Sequence, residues 1–237
     1  MLQPRGNKFT WLGHSAFKIT MTGGKVLVID PWVMGNPACP EGLRKFDRLD
    51  VMLVTHGHFD HIGDAVALAR QHKPQVVGIY ETCAWLESKG VANTCPMNKG
   101  GTQRVGDIEV TMVNAIHSCG ILDDGKIIYG GEACGYIVRL PGGLVVYHAG
   151  DTAVFGYMKI IGELYKPDLA CLPIGDLYTM NPREAALAIR LLGARHVVPM
   201  HYGTFPPLTG TPDALRSLTQ DISGLEIHAL KPGETLG

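Results

Sequence analysis

The sequence predicts an α/β fold, and three observations predict it. Short apolar runs such as Val51-Met52-Leu53-Val54 and His196-Val197-Val198-Pro199-Met200 alternate with segments whose apolar residues recur at helical spacing. That alternation is the pattern of buried strands joined by helices. Hydrophobic residues make up 46% of the 237 positions and charged residues 18%, which suits one large core and excludes a disordered or fibrous chain. Finally, His and Asp residues fall where predicted strands release the chain into loops, the usual place for active-site groups in such folds.

Taken in order, Phe9 to Ser15 opens with an apolar segment, and Ala16–Thr20 reads as a strand. Gly23-Gly24 turns the chain into a buried strand, Lys25 to Asp30, which ends on a carboxylate followed by Pro31. The two prolines and Asn36 between Gly35 and Pro40 make a loop, and Leu49 to Val54 is the next strand. A helix over Asp64–Gln71, a strand over Gln75–Tyr80 and a helix over Glu81–Lys89 follow. Turn chemistry at Asn98-Lys99-Gly100-Gly101 precedes further strands, among them Ile108 to Val113. Asp123 to Gly131 reads as a loop, and Gly135–Leu140 and Leu144–Tyr147 as a hairpin about Pro141-Gly142-Gly143. Helix Met158–Leu164 leads to strand Leu169–Pro173. Asn181 as N-cap, Pro182 at the first helical position and Glu184 in the first turn start the helix Pro182–Leu192. Strand His196–Met200, helix Pro212–Gln220 and strand Glu226–Leu230 close the chain. With no repeat, linker or low-complexity segment, residues 1–237 read as a single domain.

Bulk properties narrow the function classes. A formal net charge of -1 with no concentration of Lys and Arg argues against a nucleic-acid partner. The cysteines at 39, 83, 95, 119, 134 and 171 form no C-x-x-C pair, which argues against zinc ribbons and redox motifs and for free thiols in a reducing cytoplasm. Met1 to Phe9 has no apolar signal-peptide core, and no apolar stretch is long enough to span a bilayer. No G-x-x-x-x-G-K-[ST] sequence is present, so P-loop nucleotide hydrolysis is excluded.

The chemistry concentrates in Thr55-His56-Gly57-His58-Phe59-Asp60-His61, directly after an apolar strand and before a helical pattern. Imidazoles and a carboxylate packed into one strand-to-helix turn are the donor types that suit zinc, manganese and iron. His117, Asp151 and His201 each lie at or just beyond the end of another predicted strand. Histidines scattered by chance would have no preference for those places.

This constellation resembles the ligand set of the metallo-β-lactamase superfamily. Trp11-Leu12-Gly13-His14-Ser15, Ile29-Asp30-Pro31-Trp32, Gly150-Asp151-Thr152, Leu172-Pro173-Ile174-Gly175-Asp176 and Pro199-Met200-His201-Tyr202 are further similar to the metal-dependent hydrolases related to ascorbate-6-phosphate lactonase. The resemblance runs from about Thr10 to Glu234. It implies a four-layer αβ/βα sandwich, two mixed sheets flanked by helices with the site at one edge. It also implies two divalent ions: one on His56, His58 and His117, the other on Asp60, His61 and His201, with Asp151 bridging. All-N/O donors favour Zn²⁺, with Mn²⁺ or Fe²⁺ also accepted.

Outside this set, Asp30 has two readings, an acceptor for a ligand imidazole N–H or a cap on the Pro31 turn. His14 reads as a substrate contact or proton donor, or as a structural histidine. Asp176 reads as a site residue at a strand exit or as a turn-forming aspartate. His148 reads as packing or support, Tyr202 as wall, and Cys119 as no ligand; His72, His196 and His228 receive no function.

The expected activity is metal-dependent hydrolysis of a small ester, lactone or phosphodiester by a metal-bridging hydroxide, with Asp60, His14 and Asp176 as candidate catalytic residues. A diiron-type redox enzyme or a metal-binding module without activity is the alternative. The redox relatives typically carry Glu at the position of His58 and an added flavin domain, and neither is present in this chain. The implied partner is a small-molecule substrate, with no nucleic acid and no membrane; a homo-oligomer is compatible with the sequence.

Overall fold

The computed structural model describes residues 2–237; Met1, where the N-terminal reading begins, lies outside them. The first sheet contains β1 (Lys8–Gly13), β2 (Ala16–Thr20), β3 (Val26–Ile29), β4 (Val51–Leu53), β5 (Gln75–Ile79), β6 (Thr94–Met97) and the terminal β16 (Thr235–Leu236). Its strand order is β16-β1-β2-β3-β4-β5-β6. The second contains β7 (Thr102–Val105), β8 (Ile108–Asn114), β11 (Cys134–Arg139), β12 (Val145–His148), β13 (Leu169–Pro173), β14 (His196–Met200) and β15 (Glu226–Ile227), in the order β15-β14-β13-β12-β11-β8-β7. A separate two-stranded ribbon pairs β9 (Gly120–Asp123) with β10 (Lys126–Tyr129).

Alternation along the strands builds the layers. In β3, Leu27 and Ile29 face a core shared with the second sheet, where they join Val110, Met112, Tyr136, Val146 and Val198. Val26 and Val28, on the opposite face, pack with Ile62, Leu68 and Leu86. Those three belong to α1 (Phe59–Ile62), α2 (Ala65–His72) and α3 (Tyr80–Ser88). The second sheet repeats the logic: Tyr147, Ala170 and Val197 point outward onto α4 (Met158–Tyr165), α5 (Pro182–Leu192) and α6 (Pro212–Ser217). A period of two with both faces apolar requires cover on both sides, and the αβ/βα sandwich provides it.

The strands that feed the site run in common directions. β1 and β3 are each antiparallel to β2, and β4 is parallel to β3. In the other sheet β8 and β12 are each antiparallel to β11, while β13 and β14 follow β12 in parallel. The C-terminal ends of each set therefore open toward one edge.

Several elements differ from the sequence reading. The segment read as a loop from Asp123 to Gly131 contains β10: Asp123 pairs with Lys126, leaving Asp124-Gly125 as a two-residue turn. Asp124 and Gly125 take φ of 47° and 75°, the left-handed pair such a hairpin requires. Its exposed strand, with Ile127 and Tyr129 turned to solvent, hides the alternation that marks a half-buried strand. β6 escapes notice because Pro96 interrupts a short, weakly buried run, and a proline is tolerated there because β6 is at the sheet edge. The last helix ends at Ser217 rather than Gln220, and β15 spans two residues.

Candidate metal centre

Each metal-capable side chain stands just past a strand. His14 follows β1, Asp30 follows β3, His56 follows β4, His117 follows β8, Asp151 follows β12 and His201 follows β14. His58 precedes α1, while Asp60 and His61 lie in its single turn. Three of these positions have left-handed backbones: His14 at φ 56°, Asp30 at 51° and His201 at 56°. Asp and His tolerate that conformation better than most residues, but buried at a site it needs support from its surroundings. The His14 carbonyl supplies part of the restraint, accepting the Trp11 indole N–H at 2.9 Å and the His201 backbone N–H at 3.0 Å. Gly150, φ 63°, brings the chain so close to β11 that a Cβ there would lie 2.5 Å from the Cys134 carbonyl.

The donors fall into overlapping groups with ligand atoms within 4.8 Å of one another: His56, His58 and His117; His14, Asp60, His61 and His201; and His56, His61 and Asp151. His56 Nε2 and His117 Nε2 both face His58 Nδ1, at 3.1 and 3.3 Å. Asp151 Oδ2 lies 2.9 Å from His201 Nε2, 3.2 Å from His61 Nε2, 3.8 Å from His117 Nε2 and 3.9 Å from His56 Nε2.

Hydrogen bonds from behind settle which nitrogen is offered. The Thr55 backbone N–H donates to Asp30 Oδ1 and the Thr55 hydroxyl to Asp30 Oδ2, each at 2.8 Å. That hydroxyl, its proton committed, accepts from His56 Nδ1 at 3.0 Å, so the Nε2 of a neutral His56 carries a lone pair. His61 Nδ1 donates to Asp30 Oδ2 at 2.8 Å and turns Nε2 toward Asp151. His14 Nε2 donates to Asp60 Oδ2 at 3.0 Å while Nδ1 accepts from the Thr204 hydroxyl, also at 3.0 Å.

The ionisation states follow. Burial, and then the neighbouring His61, hold His56 well below 6.5; burial also lowers His58, and takes His117 to about 4. These three are neutral imidazoles at neutral pH, the form that coordinates a cation. His14 is lowered to about 4 by burial, against the pull of Asp60. Burial raises Asp60, but the His14 hydrogen bond and His61 outweigh it and set the carboxyl near about 2. Burial likewise opposes charge on Asp151, yet His201 and His61 hold it well below 3.8. His61 is raised well above 6.5, because Asp151 and Asp30 overcome burial.

The arrangement fits a bound cation. His61 Nε2 and both ring nitrogens of His201 are buried without an aligned hydrogen bond, even though Asp151 Oδ2 is within 3.2 Å of both Nε2 atoms. Buried polar atoms this close yet unaligned are rare in a finished core, and an ion beside Asp151 Oδ2 would satisfy the Nε2 atoms of His61 and His201.

Asp176 is not part of these groups. Its side chain is exposed, and Oδ1 accepts the Leu177 backbone N–H at 2.8 Å, the turn geometry. Asp30 takes the acceptor position instead of merely capping its turn. His148 is buried and bonds the backbone of Ser15 and Gly150. Tyr202 stacks on Trp11, centroids 5.3 Å apart, and Cys119 donates to the Gly130 carbonyl. Sequence reasoning missed Thr55, Ser15 and Thr204; the Ser15 hydroxyl donates to Asp151 Oδ1 at 3.4 Å. Each adjoins a strand exit, but a lone hydroxyl there carries no signal until its carboxylate or imidazole partner is in view.

The model of the beta-lactamase superfamily domain matches residues 26–202. A UPF0173 metal-dependent hydrolase of Solibacter usitatus is 62% identical over 229 residues, covering 96% of this chain and 98% of that protein. Another from Rubrobacter xylanophilus is 54% identical over 234 residues, covering 98% and 97%. The solved structure of a metallo hydrolase from the hyperthermophilic archaeon Ignicoccus hospitalis superposes with a TM-score of 0.86 at 36% identity, covering 97% of each chain. No helix among the described residues is long and apolar enough to cross a membrane. The chain belongs to the UPF0173 metal-dependent hydrolases of the beta-lactamase superfamily.

Proposed function

We propose that the protein is a binuclear hydrolase of small esters or lactones. His56, His58 and His117 would hold one divalent ion, and Asp60, His61 and His201 a second. Asp151 would be shared between them. The observation that carries this reading is the position of Asp151 Oδ2, within 3.9 Å of imidazole nitrogens from both trios. The donors are all nitrogen and oxygen, which suits Zn²⁺ and accommodates Mn²⁺ or Fe²⁺. When bound, such ions supply Lewis acidity and a water acidic enough to be a nucleophile near neutral pH.

The protein's own contribution is positional. Asp30 orients His61, Thr55 orients His56, and His14 holds Asp60. His14 therefore acts here as a positioning residue, its Nε2 proton engaged by the carboxylate. Trp32 and Phe205 meet the His14 ring edge-on, at 5.3 and 5.8 Å between centroids, and keep water from that side.

The rim supports an uncharged carbonyl substrate. Phe59 and Ile116, each adjacent in sequence to a proposed ligand, are 58% and 51% exposed. Exposed apolar side chains beside a polar site are suited to the organic part of an ester or lactone. Hydrolysis of p-nitrophenyl acyl esters, aliphatic lactones and bis-(p-nitrophenyl) phosphate, measured before and after chelation, tests both parts. The expected result is ester or lactone turnover that chelation abolishes and Zn²⁺, Mn²⁺ or Fe²⁺ restores. Turnover surviving complete chelation would overturn the metal assignment; preference for the phosphodiester would overturn the substrate class.

A further inference from the structure

β14 carries a second set of donors at its start, away from the end that delivers His201. In the parallel pairing of β14 with β15, His196 stands opposite Glu226. His228 lies two residues beyond Glu226 and so faces the same side. Its backbone N–H bonds the Val197 carbonyl at 2.8 Å, keeping the pairing in register to that point. The strand register alone thus places two imidazoles and a carboxylate together at one end of the sheet.

Their geometry is close to that of a coordination site. His196 Nδ1 lies 3.3 Å from His228 Nε2 and 3.5 Å from Glu226 Oε2, and His228 Nε2 lies 3.9 Å from the same oxygen. Zinc bonds to nitrogen and oxygen of about 2.0–2.1 Å place tetrahedral donors roughly 3.3–3.4 Å apart. The imidazole pair already meets that spacing, and the longer carboxylate–imidazole distance exceeds it by about half an ångström. The rings are nearly parallel, 25° between planes, and both imidazole side chains are 16% exposed. That leaves two imidazoles at ligand spacing and, beside them, a Glu226 carboxylate that also has an interaction of its own.

We propose that His196, Glu226 and His228 form a further metal site, independent of the hydrolytic centre, for a borderline divalent ion such as Zn²⁺. Two imidazoles with one carboxylate select such an ion over Mg²⁺ or Ca²⁺, which take oxygen donors. Occupancy would clip β15, a strand of two residues at the sheet edge, to β14. The competing reading is a plain N–H···N hydrogen bond between the two rings.

Two measurements decide between them. Crystals of the full chain soaked in Zn²⁺ should show an anomalous peak bounded by His196, Glu226 and His228. In equilibrium dialysis against Zn²⁺, His196→Gln and His228→Gln should each bind one ion fewer per chain than the natural sequence, with hydrolysis unchanged. Absence of the peak, or equal zinc uptake by all three proteins, would overturn the proposal. Should either variant fail to fold, the anomalous map of the natural chain decides alone.

Discussion

Asp30 Oδ2 and His61 Nδ1 lie 2.8 Å apart in a fully buried contact between the end of β3 and the turn of α1. A carboxylate only accepts, so this contact fixes one His61 proton on Nδ1, and the second, favoured by Asp151 and Asp30, would leave Nε2 when a cation binds there. The same carboxylate takes both donors of Thr55.

Asp30→Asn isolates that role, because asparagine tolerates the left-handed backbone that Asp30 occupies. Its amide NH₂ confronts either the Thr55 or the His61 donors. Metal affinity, read by competition with a chromophoric chelator, is expected to fall about 10–100-fold while the fold persists. Unchanged affinity would remove Asp30 from the account.

Gly57, between His56 and His58, is where the β9–β10 ribbon rests on the ligand turn. A Cβ there would collide with Ile121 Cγ1 and lie 3.3 Å from the Cys119 carbonyl. Gly57→Ala is expected to cost about 1–3 kcal/mol by overpacking, and part of that cost should vanish in an Ile121→Ala background. Equal costs in both backgrounds, measured by denaturant unfolding, would contradict the contact.

His148 links acidity to stability. Its Nε2–H donates to the Ser15 carbonyl at 3.0 Å and its Nδ1 accepts the Gly150 N–H at 3.2 Å. A second proton would have to sit on the accepting nitrogen. Burial, only partly opposed by Asp30, lowers its pKa below 6.5. With the folded value below the unfolded one, the unfolded chain binds the extra proton first. Stability is therefore full above pH 6.5 and declines as pH falls below it, by up to about 1.4 kcal/mol per pH unit from this group. In metal-free protein, His148→Gln should show a flatter acid limb than the natural sequence; parallel limbs would refute the assignment.

Asn181 tests a part of the fold remote from the metal donors. Its side chain accepts from the backbone N–H groups of Arg183 and Glu184, both at 3.0 Å, while Glu184 Oε2 accepts the Asn181 N–H at 3.2 Å. Asn181→Ala is expected to lower unfolding free energy by about 0.5–2 kcal/mol, measured in urea. No change would show that the capping box does not hold α5.

What was legible in the sequence follows from which signals are local. The Asn181-Pro182-x-Glu184 start is local chemistry, and α5 begins and ends where it predicts. β13 and β14 are also read to the residue, since a buried parallel strand is a continuous apolar run between turns. The donors at strand exits were visible for the same reason, each following an apolar run. Thr55, Ser15 and Thr204 were not, since a hydroxyl acquires meaning only from a partner distant in sequence, as Ser15 does from Asp151. Asp176 shows why a strand exit alone does not decide a role: its Oδ1 accepts the N–H of its own loop, the geometry of the turn-forming reading. His196 and His228 were passed over because parallel pairing, invisible along the chain, brings them together.

Anomalous diffraction at the metal absorption edge from metal-loaded crystals tests the central claim most directly. At this centre two peaks are predicted, separate from any at His196, Glu226 and His228: one bounded by His56, His58 and His117 and one by Asp60, His61 and His201, with Asp151 touching both. A single peak, or two peaks with Asp151 turned away from either, would contradict it.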